Sequence, residues 1–378
     1  MSASISCSEA LAAIRRGEKL PSEVVRRLGE EQPGEFFRII IEGLADSFEP
    51  ADAASYEELM RVWIPADARV AAVAPARVDC VYVLSRVTLG ADIKIASIVL
   101  DAMKRRFPEA RIAFVANRKS AELFMADERV EWVESNYPRS GAVSSRIAFA
   151  ELLRAQVAGE HRIVIDPDSR MTQLGLIPVC EPERYFHFPS RSEEAAGNLS
   201  ELTARWLTHT FGVAGQAYVA PSRVVVEGAA PRAAVSFGVG ENDSKRIGGD
   251  FEAQVLRVLG ARFRTIWIDR GVGGEEARRV TEAVAASGLG ERARFWEGSF
   301  AGFASVISQC DFYVGYDSAG QHAAAAAGVP LVTFFKGASS ARFRERWMPA
   351  GECRITLIDA DAGMPEACLD RLRALVKS

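Results

Sequence analysis

A turn between an apolar strand and an alanine-rich helix has the residues best suited to chemistry in this chain. It runs Asp317-Ser318-Ala319-Gly320-Gln321-His322 and follows the apolar stretch 310–316. The first turn of a helix has unpaired backbone N–H groups and the positive end of the helix dipole, so it binds phosphate readily. Small side chains let a ligand approach the backbone, and a carboxylate and an imidazole lie beside it. The pattern predicts a site for a charged, phosphorylated small molecule.

A second candidate lies in the polar loop after the apolar stretch 232–238. Gly238 and Gly240 open this loop, and Lys245-Arg246 close it. The Lys245 ammonium could neutralise a diphosphate as negative charge builds up, and electrostatic help of this kind is worth roughly a few kcal/mol in enzymes. The alternative is a solvated Lys-Arg pair on a surface loop.

The remaining candidates each have a functional and a structural interpretation. Glu275, after the glycine-rich stretch 271–274, is placed to accept ribose hydroxyls, or it serves as a favourable acid in a first helical turn. Asp317 could accept sugar hydroxyls and His322 could orient the turn or touch phosphate. Alternatively, Asp317 and Ser318 are caps and His322 is a packed helix residue. Residues 166–170 follow a strand and could contact a bound ligand, or they form an ordinary Asx turn.

Composition excludes several classes of protein. Of 378 residues, 48% are hydrophobic and 25% charged, with a net charge of -4, so neither disorder nor a basic nucleic-acid-binding surface is indicated. The six cysteines are scattered without a CxxC pair or metal-ligand spacing, so we expect no metal and a reducing cytoplasm. The start lacks the pattern of a secretory signal, and no apolar stretch is long enough to span a membrane. We expect at most peripheral membrane contact.

The elements that must position these residues alternate between strand and helix. Residues 1–75 are expected to form a helical appendage with apolar positions at helical spacing. The same order of strand, glycine-bearing loop and amphipathic helix opens residues 76–225 and again opens residues 226–378. This alternation predicts an α/β fold with two facing Rossmann-like domains, parallel sheets and a ligand cleft between them. Continuous helices are expected over 34–45, 93–107 and 193–211, and Arg342, Arg344 and Arg346 are expected on a solvated face. The last helix, 365–376, is expected to pack back on the first domain.

Three motifs in order resemble one known family. They are Leu89-Gly90-Ala91-Asp92 with a helix and Phe107-Pro108-Glu109-Ala110-Arg111-Ile112, then the loop 236–246, then the turn 317–322. The stretch 79–360 is similar to the heptosyltransferase-type glycosyltransferases of family nine. It departs from them where Ala91 separates Gly90 from Asp92, where Ile247-Gly248-Gly249 replaces a Trp-Pro pattern, and where Ala319 replaces glycine.

The resemblance implies a GT-B architecture and metal-independent, inverting transfer of a heptose-like sugar or hexose from a nucleotide diphosphate to a glycan or glycolipid hydroxyl. It places the donor in the second domain, with Lys245 beside the leaving diphosphate, and the acceptor in the first. Asp92 would face the cleft as general base; its structural alternative is a helix N-cap. The remaining donor-site residues would be Gly238, Gly240, Glu275, Asp317, Ser318, Ala319, Gly320 and His322.

Such an enzyme needs no cofactor and would serve cell-surface glycan assembly, such as lipopolysaccharide biosynthesis. Two other functions stay open. One is a non-catalytic nucleotide- or glycan-binding protein of the same fold, whose appendage docks a partner. The other is a nucleotide-sugar epimerase, which would need acid and base groups on both faces of the sugar.

Overall fold

The chain forms two lobes, each built on a parallel β-sheet. The structure, a computed structural model, describes residues 5–65, 72–73, 75–240, 242–271, 273–338, 340–361 and 364–377. The strand order is β3-β2-β1-β4-β5 in the first sheet and β11-β10-β9-β6-β7-β8 in the second. The eleven strands are β1 Cys80–Leu84, β2 Arg111–Ala116, β3 Val130–Glu134, β4 Arg162–Asp166, β5 Tyr185–His187, β6 Arg232–Ser236, β7 Thr265–Asp269, β8 Ala293–Trp296, β9 Phe312–Tyr316, β10 Leu331–Phe335 and β11 Ile355–Asp359.

Both sheets have the doubly wound Rossmann order, which confirms the predicted α/β class. Their strands are short apolar runs, and every residue of β1, β9 and β10 is buried, as expected for strands covered on both faces. The register sets Val83 opposite Phe114 and Ile165 in the first sheet, and Ser236 opposite Gly315 in the second. The strand order reverses direction between β1 and β4 and between β6 and β9, which marks the two positions where ligands bind in such folds.

Helices cover both sheets. Those of the first lobe and of the N-terminal segment are α1 Cys7–Arg15, α2 Ser22–Glu31, α3 Pro33–Glu35, α4 Glu42–Ala45, α5 Pro50–Met60, α6 Leu89–Ala91, α7 Ser97–Arg106, α8 Arg118–Ala121, α9 Val143–Val157 and α10 Leu199–Phe211. Those of the second lobe are α11 Phe251–Gly260, α12 Gly274–Ser287, α13 Phe300–Ile307, α14 Ala319–Ala326, α15 Ala341–Trp347 and α16 Pro365–Lys377. Two π-helical stretches, Phe36–Ile41 and Asp92–Ala96, interrupt helices that the sequence predicts as continuous.

The N-terminal helices share a hydrophobic core with one face of the first sheet. Phe36, Ile40 and Leu44 are fully buried in the same cluster as Leu84 and Val115. This segment therefore forms part of a layer of the first lobe rather than a unit standing apart from it. No helix in the described part of the chain is both long and apolar enough to cross a membrane.

Two expectations about helices are wrong. The last helix, α16, buries Leu369 and Leu372 against α11 in the second lobe, so it does not pack back on the first. The helix expected from residue 193 begins instead at Leu199, where the Asn198 side chain accepts the Ser200 and Glu201 N–H groups at 2.9 and 3.2 Å. An asparagine in this cap position ends the preceding loop and starts the helix.

Candidate active site

A cleft of about 240 Å³ lies between the carboxyl ends of the two sheets. We call it the interlobe cleft; it is where open α/β sheets bind ligands. The second lobe contributes its glycine loop after β6 and the turn after β9, and the N-terminal segment contributes one carboxylate. The lining residues are Asp46, Arg86, Thr88, Gly90, Ala91, Arg170, Arg191, Lys245, Asp317, Ser318, Ala319, His322, Phe343 and Trp347.

Lys245 and Asp317 form an ion pair at the edge of the cleft. The Lys245 ammonium lies 2.7 Å from Asp317 Oδ2 and 3.2 Å from the Asp317 carbonyl oxygen. The Gln321 side-chain amide donates to Asp317 Oδ1 at 2.5 Å. Both carboxylate oxygens are thus engaged, and the pair holds the ammonium beside the start of α14. The structure therefore brings together two residues that lie in separate sequence motifs.

The start of α14 is free of a side-chain cap. Ser318 is the N-cap residue in an extended conformation, and its side chain makes no capping hydrogen bond. The first-turn N–H groups are consequently available to an anion in the cleft. Gly320 has to be glycine here because a Cβ atom would lie 2.1 Å from Tyr313 Oη. Across the cleft, a Cβ on Gly90 would lie 3.3 Å from His322 Cδ2, so the two lobes approach closely at this point.

His322 is a neutral imidazole at the floor of the cleft. Burial, with the nearby Lys94 and Lys245 charges, holds its pKa well below the ordinary histidine value. Its ring packs 5.9 Å from the Trp347 ring, centroid to centroid. His322 therefore adds no positive charge to a bound phosphate, and the cation at the second-lobe wall is Lys245.

Four predicted donor residues are not among the residues that line the interlobe cleft. They are Gly238, Gly240, Glu275 and Gly320, the last of which lies in the first turn of α14. Glu275 has a side chain that is 82% exposed and lies 3.8 Å from Arg278. The next residue, Glu276, turns back toward the glycine loop, since a Cβ atom on Gly238 would lie 2.9 Å from its Oε1 atom. Sequence spacing alone does not show which of the two adjacent glutamates points toward the glycine loop.

In this arrangement Asp92 is not among the residues that line the cleft. Its side chain is fully buried and accepts hydrogen bonds from Ser85 Oγ at 2.8 Å and the Arg86 backbone N–H at 2.7 Å. Nor is Asp92 an N-cap, since the helix begins at Leu89 with Thr88 as its cap. Gly90 and Ala91 occupy the cleft-facing positions of that turn, so the following residue points back toward the end of β1. Burial raises the pKa of Asp92 to about 6.

Sequence reasoning missed the arginines of the first lobe. Arg86, Arg170 and Arg191 follow β1, β4 and β5, and all three line the cleft. The sequence contains a signal for these arginines, because each one follows a strand and the carboxyl ends of adjacent parallel strands meet at one edge of the sheet. Arg342 and Arg346 of α15 were expected on a solvated face. Arg346 is instead fully buried, and both donate hydrogen bonds across the lobe interface to carbonyl oxygens of the loop before α10.

No protein-family model matches this chain, and no curated protein matches it in sequence. Solved structures match it in fold. E. coli heptosyltransferase WaaC with ADP-2-deoxy-2-fluoro heptose is 16% identical with a TM-score of 0.58, covering 79% of this chain and 99% of its own. The family nine glycosyltransferase from Veillonella parvula is 14% identical with a TM-score of 0.58, covering 77% and 88%.

A third solved structure matches this chain at a similar identity and TM-score. The E. coli ADP-heptose lipopolysaccharide heptosyltransferase II is 18% identical with a TM-score of 0.55, covering 79% of this chain and 98% of its own. This chain shares the GT-B fold of these proteins. These matches confirm the predicted GT-B architecture.

Proposed function

We propose that this chain is a glycosyltransferase that takes a sugar from a nucleotide diphosphate in the interlobe cleft and transfers it to a hydroxyl group of a glycan or glycolipid. The observation that carries the proposal is the uncapped start of α14, with the Lys245 ammonium held beside it by Asp317. Backbone N–H groups and a fixed cation together suit a diphosphate leaving group. The GT-B fold, which the chain shares with heptosyltransferases, supports the same assignment.

The proposed reaction is an inverting displacement. The acceptor oxygen forms a bond to the anomeric carbon on the face opposite the diphosphate, the bond to the diphosphate oxygen breaks, and the hydroxyl proton passes to a base. In this proposal Lys245 and the N–H groups of Ser318 to Gly320 stabilise the charge on the departing diphosphate. The proposed mechanism uses no metal.

Asp92 is the proposed general base. A pKa raised to about 6 suits proton abstraction near neutral pH. To reach an acceptor hydroxyl, its carboxylate must exchange the hydrogen bonds from Ser85 and the Arg86 N–H for one from the substrate. The proposal therefore includes a movement of the turn 85–92 when substrates bind. Asp92→Asn should abolish transfer and leave nucleotide binding nearly unchanged, whereas substantial remaining turnover would exclude this role.

A thermal-shift screen over nucleoside diphosphates and nucleotide sugars tests the donor assignment, because a ligand bound to the folded state raises stability by mass action. Adenosine diphosphate and its sugar derivatives come first, since the similar WaaC structure holds an ADP-linked heptose analogue. We expect one nucleotide class to stabilise the protein clearly and Lys245→Gln to remove most of the shift. No response to any nucleotide would overturn the proposal.

The second candidate is a non-catalytic nucleotide- or glycan-binding protein. The hydrogen-bonded, fully buried carboxylate of Asp92 favours it, because a pinned aspartate serves structure without reaching a substrate. Nucleotide binding without transfer or donor hydrolysis in the wild-type protein, with the same affinity in Asp92→Asn, would select this function. We propose a cytoplasmic location for either candidate, with contact to the inner membrane face through an acceptor lipid where the acceptor is a glycolipid.

A further inference from the structure

Three guanidinium groups converge on the first-lobe side of the interlobe cleft. Arg86, Arg170 and Arg191 come from the ends of β1, β4 and β5, which lie side by side in the sheet. We refer to these three residues as the arginine subsite. The arginine subsite belongs to the first lobe, whereas Lys245 and the start of α14 belong to the second, and both line the same cleft.

Arg86 is the least compensated of the three. It is 2% exposed and donates one hydrogen bond, from Nη1 to Ser190 Oγ at 2.5 Å. Among the residues that the structure describes, Arg86 makes no ion pair. Burial, which is the largest influence, and the nearby Arg191 charge lower its pKa to about 9, although the Asp168 and Asp46 charges oppose the shift. A guanidinium has five N–H donors, and a buried one usually pairs with an anion.

The neighbouring residues hold Arg86 in place. Ser190 Oγ donates to Asp168 Oδ2 at 2.9 Å, which leaves its lone pairs for Arg86. Asp168 has a positive φ of 69°, a strained conformation for a residue that is not glycine. Its carboxylate also accepts the Arg191 backbone N–H at 2.9 Å. Backbone strain of this kind clusters at functional sites, and here it orders two arginine-bearing segments.

The other two arginines share a carboxylate from the N-terminal segment. Asp46 Oδ2 lies 2.8 Å from Arg170 Nη2, and Asp46 Oδ1 lies 2.9 Å from Arg191 Nε. Although burial opposes ionisation, Arg170 and Arg191 hold the pKa of Asp46 below its ordinary value, so it stays charged. Asp46 also lines the cleft. Asp46 thus lies between two guanidinium groups. Each of these groups also has a second carboxylate partner, Glu42 for Arg170 at 2.7 Å and Asp168 for Arg191 at 3.3 Å.

We propose that the arginine subsite binds an oxyanion, a phosphate or carboxylate group, and that Asp46 is the internal counter-ion with which this anion competes. Planar guanidinium groups bind both kinds of group with paired hydrogen bonds. The anion belongs to the acceptor, an assignment that rests on the proposed function because the donor diphosphate would occupy the opposite wall. The subsite itself is independent of that function.

Calorimetric titration of the full chain with inorganic phosphate and with acetate tests the proposal, the two probes standing for the two oxyanions. We expect Arg86→Gln to weaken binding of the preferred probe by about 10-fold to 100-fold, because a charged hydrogen bond is lost. Asp46→Asn should tighten binding by about 10-fold, because a competing negative charge is removed. A purely structural Asp46 would not produce tighter binding.

Two controls make the result specific. Arg146→Gln removes another arginine of the first lobe that is also 2% exposed but lies outside the cleft, and it should leave anion binding unchanged. Lys245→Gln should weaken nucleotide binding by about 10-fold or more and keep this anion site. If Arg86→Gln does not fold, the titration of Asp46→Asn is sufficient by itself to test the proposal.

The possible results separate the two proposals. Anion binding that survives in Lys245→Gln and tightens in Asp46→Asn supports the subsite even if no nucleotide binds. No binding of either probe, binding lost in Lys245→Gln but kept in Arg86→Gln, or no tightening in Asp46→Asn would overturn it, and the arginines would then serve only to tie the N-terminal helices to the first lobe.

Discussion

The buried carboxylate of Asp92 should make the stability of this protein depend on pH in a predictable direction. Burial is the largest influence on this group and raises its pKa to about 6 from 3.8, although hydrogen bonds from Ser120, Ser85 and the Arg86 N–H oppose the shift. The folded protein therefore holds the Asp92 proton more tightly than the unfolded chain does. The stabilising contribution of the neutral carboxyl is complete below about pH 4 and is lost as the pH rises through about 6.

The expected size follows from the two pKa values. A difference of about 2 pH units corresponds to roughly 3 kcal/mol in the free energy of unfolding. Asp92→Asn cannot ionise, so it should lack this loss. Relative to the variant, the wild-type protein should become less stable by about 3 kcal/mol between pH 4 and pH 7.

Urea unfolding of the wild type and Asp92→Asn across this pH range measures the difference directly. Comparing the two proteins at each pH removes the contributions of all other titrating groups. Ser85→Ala is the matched variant, because it removes a hydroxyl that stabilises the ionised form. The pH at which this stabilising contribution is lost should be higher in Ser85→Ala than in the wild-type protein. A stability difference between wild type and Asp92→Asn that stays constant across the range would refute the reasoning.

Three further variants probe the contacts around the cleft. Phe48→Ala should cost about 3 kcal/mol in urea unfolding, because this 1% exposed ring packs on two aromatic rings of α15. Gly320→Ala places Cβ against Tyr313 and should cost about 1 to 3 kcal/mol and weaken nucleotide binding in calorimetry. Arg346→Met should cost about 2 kcal/mol in thermal unfolding, because a fully buried guanidinium loses two hydrogen bonds to carbonyl oxygens of the other lobe. Arg344→Met removes partly exposed ion pairs and should cost under about 1 kcal/mol. Equal losses of stability in Arg346→Met and Arg344→Met would contradict the structural role assigned to Arg346.

The diphosphate side of the cleft could be predicted from sequence because its features are local. An apolar strand, a turn of small residues and an alanine-rich helix lie within 310–326, and each element has its own sequence signature. The loop ending at Lys245 has a similar pattern. Once both strands belong to one parallel sheet, their carboxyl ends have to meet, and Lys245 reaches Asp317. Local pattern and sheet topology are therefore sufficient for this wall.

The first-lobe wall depends on contacts that no local pattern contains. Arg191 and Asp46 pair across 145 positions of the chain, and the orientation of Asp92 follows from where one helical turn begins. The late start of α10 is a tertiary effect as well. Its expected first residues form a loop whose carbonyl groups accept hydrogen bonds from Arg342 and Arg346 of the other lobe. Helical propensity gives no indication of these partners.

Calorimetric titration of a nucleoside diphosphate into the wild-type protein and Lys245→Met tests the central claim most directly. The account predicts one binding site per chain, with affinity reduced by about 10-fold or more in the variant, because a charged hydrogen bond to phosphate is lost. No binding of any nucleoside diphosphate, or the same affinity in both proteins, would contradict a diphosphate site at Lys245 and the start of α14.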